Sequence, residues 1–128
     1  MLSEKLIPKL RTRFPDRRLS VSSGKPPVAV FPAVYDQVGD IEIHDDGDEL
    51  TLYVGPTHGH FSCYDDALSD DERQDRTVDE VLAFLDEVFA DRIEFWSNGG
   101  RMGGWHVHGR SNPLSRRARR FVWSGPIA

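Results

Sequence analysis

The sequence predicts an α+β domain. One main amphipathic helix, about 77–90, should pack on one face of an antiparallel sheet of about five to six strands, giving two layers with short helices near the termini. Three observations carry this expectation. Residues 40–64 alternate between apolar and polar positions and are interrupted by turn residues, the pattern of half-buried antiparallel strands. Val78, Val81, Leu82, Leu85, Val88 and Phe89 fall on one stripe at helical spacing. A second alternating group, 92–108, follows that helix. A chain of 128 residues suits a single domain, 1–128, with a core large enough to need no staple.

Taken in order, Ser3-Glu-Lys-Leu6 is a candidate helix start, with Leu2, Leu6 and Leu10 at near-helical spacing and Pro8 opposing its continuation. Residues 20–27, rich in Ser, Gly and Pro, form a connector. Val28–Val34 is strand-prone, and Pro32 confines it to an edge or a bulge. Asp40–His44 places Ile41 and Ile43 opposite Glu42 and His44. Leu50–Val54 places Leu50, Leu52 and Val54 opposite Thr51 and Tyr53. Asp45-Asp-Gly-Asp-Glu49 joins them as a hairpin turn. In His58–Tyr64, Phe61 and Cys63 oppose His60, Ser62 and Tyr64. Residues 65–76 read as an acidic, turn-like segment. Thr77-Val-Asp-Glu80 matches a capping box and so marks the start of the main helix. Strands 92–97 and 105–108 follow, joined by the glycine-rich loop 98–104 with Arg101 and Met102 at its tip. A short helix over 113–119 and a last strand or docking segment, 121–123, complete the chain.

Composition narrows the function classes. The net charge of −5 conceals strong segregation. Residues 1–27 hold seven Lys/Arg and two acids, 28–91 hold two Arg and eighteen acids, and 92–128 hold seven Arg and one acid. The expected consequence is basic ends folded back over an acidic middle. Nucleic-acid binding through the Arg-rich ends, with Arg116, Arg117, Arg119 and Arg120, is an alternative that the acidic middle opposes. The longest apolar run, Val28–Val34, is far shorter than a membrane span, so no membrane partner is expected. A lone Cys63 excludes an intrachain disulfide, and the charged N-terminal decapeptide lacks a signal-peptide core, so the expected setting is cytoplasmic. No nucleophile elbow, phosphate loop or calcium-loop spacing is present, and binding is expected rather than catalysis.

The most informative pattern is the parity of the histidines. If the helix covers the aliphatic side, the opposite side carries Glu42, His44, Thr51, Tyr53, His58, His60, Ser62, Tyr64, Glu94, Trp96, His106 and His108, and so all five histidines. The expected binding surface is His44, Tyr53, His58, His60, Tyr64, Glu94, Trp96, His106 and His108, with Arg101 closing over it. Its expected occupant is a protein partner, a second copy or a small ligand. No cofactor is required by this reading. The alternative is a zinc-type transition metal held by two H-x-H pairs, His58/His60 and His106/His108, if their strands are neighbours.

Overall fold

The computed structural model describes residues 2–97, 103–108 and 118–127, and the elements below lie within them. Helix α1 is Leu2–Arg13 and helix α2 is Asp70–Phe89. Strands β1 (Ser20–Val21), β2 (Ala29–Phe31), β3 (Ile41–Asp45), β4 (Glu49–Val54) and β5 (Thr57–Ser62) form a five-stranded antiparallel sheet in sequence order. Strands β6 (Ile93–Ser97), β7 (Gly103–Val107), β8 (Arg119–Val122) and β9 (Gly125–Pro126) form a second antiparallel sheet, ordered β7-β6-β8-β9. The class is α+β as expected, but the described strands number nine in two sheets rather than about five to six in one. No helix is long and apolar enough to cross a membrane among the described residues.

The meander folds as its alternation requires. Ile41, Ile43, Leu50, Leu52 and Val54 are fully enclosed on one side of β3 and β4. They meet Val78, Val81 and Leu85 of α2 within one continuous core. Each such side chain contributes about 1.5–3 kcal/mol by leaving water. The β3–β4 turn closes with Asp46 N–H on the Glu49 carbonyl at 2.9 Å, while Gly47 takes a positive φ of 98°.

Helix α2 begins two turns earlier than the capping box at Thr77 predicts. Its N-cap is Ser69, whose hydroxyl accepts from Glu72 N–H while the Glu72 carboxylate accepts from Ser69 N–H. The same Ser/Thr-x-x-Glu pattern therefore occurs twice, and the outer copy caps the helix. Arg73 holds the extra turns by donating to the carbonyls of Asp65 and Leu68 and pairing with Asp70. Thr77 is buried mid-helix, its hydroxyl donating to the Arg73 carbonyl. Residues 70–76, expected as loop, are thus helical.

Helix α1 runs through Pro8. A mid-helix proline costs about 3 kcal/mol, and complete burial of Leu2, Leu6 and Leu10 offsets it. The basic N-terminus folds back onto the acidic middle as its charge predicts: Lys5 bridges Asp71 and Asp75, Lys9 faces Asp79 at 3.5 Å, and Arg13 pairs with Asp86. The partners advance together along both helices, so α1 and α2 run side by side in the same sense. Of the C-terminal segments, 98–102 and 109–117, which include Arg101, Arg116, Arg117 and most of the expected 113–119 helix, lie outside the described residues.

The second sheet closes the core from the other side through aromatic contacts. Trp105 meets Phe84 at 4.8 Å between ring centroids, and Trp123 meets Phe89 at 5.7 Å. Gly59 of β5 stands against Trp105 of β7. A Cβ there would stand 2.4 Å from the Trp105 indole. Gly59→Ala is expected to destabilise the protein by about 1–3 kcal/mol by overpacking. Thermal unfolding of that variant and of Gly59→Ala with Trp105→Phe checks the cause, because removing the outer ring should restore part of the loss.

The Lys5 ammonium hydrogen-bonds the Asp75 carboxylate and holds it below the usual carboxylate range, and Arg92 does the same to Glu87. A lowered carboxylate contributes stability above its unfolded pKa and loses it as pH falls through the folded value. Lys5→Met should therefore lower the melting temperature most near neutrality. The gap from the parent should shrink as pH falls through about 4, as pH-resolved melting curves will show.

Candidate functional site

Two polar clusters arise from the strand parity, one on each sheet. On the five-stranded sheet, the register aligns Val30, Glu42, Tyr53 and His58 across β2–β5, and aligns His44, Thr51 and His60 in the next row. Directly paired residues share a face, and this face lies opposite the enclosed aliphatic side. His44 meets Tyr53 edge-on at 4.8 Å, Tyr53 stacks on His58 at 5.6 Å, and His58 meets His60 edge-on at 5.4 Å. Tyr53, His58 and His60 are exposed and His44 is half-buried, so the rings form an accessible line across three strands.

One end of this line is polar and locally ordered. Thr51 is only 1% exposed. Its hydroxyl donates to the Asp46 carboxylate and lies 3.0 Å from His60 Nδ1, which is also 3.3 Å from Glu49 Oε1. Asp46, Glu49 and His60 each bring a ligand-type atom within 4.8 Å of the other two. Asp46 reads in the sequence only as a turn residue. Glu49 sits one residue before the expected strand, yet its odd number places it on the face of Thr51 and Tyr53, a signal that extending β4 by one residue makes visible.

The second cluster centres on Glu94, which is 2% exposed. Its carboxylate lies 2.8 Å from His106 Nε2, 3.1 Å from His108 Nδ1 and 3.6 Å from Arg120. A carboxyl group at such depth needs hydrogen-bond partners of this kind. Trp96, expected on an open face, is 5% exposed, its indole lying on Gly104 of the paired strand. Strand β6 is thus buried on both sides. Glu94 and Trp96 contribute structure there rather than accessible contact area.

The H-x-H pairs each stay together without joining. Gly59, between His58 and His60, faces Trp105, which precedes His106. The imidazoles on either side of this contact project from the opposite faces of their own sheets, so the four do not converge, and among the described residues they form no ligand group. The five histidines all avoid the helix-covered side, but they divide three and two. Tyr64 is exposed beyond the end of β5, and His108 follows β7 in a turn. Cys63, expected in the core beside Phe61, is half-buried. Arg119 and Arg120 are exposed on β8.

No protein-family model matches this chain, and neither a curated protein nor a solved structure matches it at a significant level. The functional reading therefore rests on the two clusters themselves. Among the described residues His106 Nδ1 is buried without a hydrogen-bond partner and Nε2 pairs with Glu94, so removing the Glu94 carboxylate would leave neither ring nitrogen paired there. Glu94→Ala is expected to cost about 1–3 kcal/mol, measured by denaturant unfolding. Glu94→Gln should cost clearly less, because an amide still reaches both rings.

Proposed function

We propose that the outer face of the five-stranded sheet is a non-catalytic binding surface for a protein partner presenting positively charged side chains. The observation that carries this reading is the accessible line Tyr53–His58–His60 set among carboxylates on a stretch of chain without a single cation. Between Lys25 and Arg73 the sequence contains no Lys or Arg. Residues 41–62, which build β3–β5, carry Glu42, Asp45, Asp46, Asp48 and Glu49.

Charge complementarity decides the class of occupant. Asp71, Asp75, Asp79 and Asp86 of α2 are already met by Lys5, Lys9 and Arg13 from α1. Among the described residues, Glu42 and Glu49 are met only by neighbouring histidines. A tyrosine ring offers its negative face to a guanidinium or ammonium, and the surrounding carboxylates steer such a group toward it. The aliphatic side of the sheet is committed to the core, which leaves this side to meet a partner.

The test is an NMR titration with hexa-arginine as a minimal cationic probe. Amide shifts should concentrate in residues 42–62 and weaken steeply with salt, while Tyr53→Ala should cost about 1 kcal/mol, or roughly fivefold in affinity. Shifts spread evenly over the α2 acids, or none in β3–β5, would remove the proposal.

A further inference from the structure

We propose that Asp46, Glu49 and His60 form a binding site for one divalent first-row transition-metal ion of the zinc type. The three donor atoms lie within 4.8 Å of one another. Zinc–oxygen and zinc–nitrogen bonds are about 2.0–2.2 Å, so donors to one ion lie no more than about 4.4 Å apart. The 4.8 Å spacing found here exceeds that limit by only about 0.4 Å, which side-chain rotation would have to close.

The site is built on ordered backbone. Glu49 starts β4, His60 stands directly opposite Thr51 across β4 and β5, and Asp46 opens the hydrogen-bonded turn into β4. The buried Thr51 hydroxyl donates to Asp46, fixing one carboxylate from behind as an outer-shell partner does in metal centres. His60 Nδ1 faces two acceptors, Glu49 Oε1 at 3.3 Å and the Thr51 hydroxyl oxygen at 3.0 Å, and an ion bound there takes the place of the Nδ1 proton, leaving the ring's proton on Nε2. Asp46 is exposed and the His60 side chain is 53% exposed, so an ion can enter from solvent and water can complete its shell.

Charge supplies a separate reason. Two carboxylates converge here, and among the described residues neither is paired with a Lys or Arg, whereas the acids along α2 that face α1 are. A divalent cation relieves that repulsion where the chain has placed no basic side chain. One imidazole with two carboxylates is a borderline donor set, suited to zinc, cobalt or manganese rather than to calcium or magnesium. Of the histidines expected as ligands from the sequence, only His60 belongs to this site. The proposal does not depend on a basic partner occupying the rest of the face.

The experiment is calorimetric titration of the untagged full chain with zinc chloride, followed in parallel by NMR of the histidine ring signals. One zinc per chain should bind, with the His60 ring signals moving. His60→Gln and the double variant Asp46→Asn with Glu49→Gln should each weaken binding by at least about tenfold, while His106→Gln with His108→Gln leaves it unchanged. All the substituted ligands are at the surface, and circular dichroism confirms that each variant is folded. Absence of both heat and His60 perturbation in excess zinc overturns the site, as does zinc binding that survives loss of His60 but not of His106 and His108. Hexa-arginine binding measured without metal distinguishes failure here from failure of the docking surface.

Discussion

Ile41, Ile43, Leu50, Leu52 and Val54 reach no solvent, and α2 provides much of the surface that makes this so. Strand side chains alternate, so enclosing these residues sends their neighbours to the other side. Glu42, His44, Thr51, Tyr53, His58 and His60 occupy the outer face for that reason. A slip of one residue in register would exchange the two sets and place carboxylates and imidazoles under an apolar helix. The polar face thus inherits its definition from the packing of the opposite face.

Electrostatics follow from the same arrangement. An acidic helix laid over a sheet whose turns are also acidic concentrates like charge, and α1 relieves part of it. Lys5, Lys9 and Arg13 recur every four residues and so form a row beside the buried Leu2, Leu6 and Leu10. Exposed pairs of this type contribute little individually. The leucines anchor α1, and the charges select where it lies. Glu42 and Glu49 lie on the other side of the sheet from this row, whereas Asp45 turns toward α1 and accepts from Ser3 N–H. Among the described residues Glu42 and Glu49 have no Lys or Arg partner, and the proposed docking surface and proposed metal site both rest on that.

The second sheet solves a different problem. Its central strand, β6, has Ile93 and Phe95 in the main core and Glu94 and Trp96 buried on the reverse. Alternation alone implies an open reverse side, because Glu and Trp are compatible with exposure. Tertiary packing overrides that reading by laying Trp96 across Gly104 and gathering His106, His108 and Arg120 around Glu94. Gly104 of β7 and Gly59 of β5 leave room for indole rings rather than serving only as turn formers.

Local periodicity was enough to locate the segments that form β2–β7, the apolar stripe of α2, the hairpin at Asp46–Asp48 and the side of the sheet to which His44, His58 and His60 belong. These depend on interactions within a few residues, or on the single requirement that apolar faces be covered. The start of α2 falls eight residues before the Thr77 box expected from the sequence, because Ser69-Asp-Asp-Glu72 fits the same local pattern. Long-range packing decided the rest: the division into two sheets, the burial of Trp96 and Glu94, the separation of the H-x-H pairs and the meeting of Asp46, Glu49 and His60. Each of those outcomes depends on which strands become neighbours and which faces they turn toward one another, and a one-dimensional pattern does not encode the approach of Gly59 to Trp105.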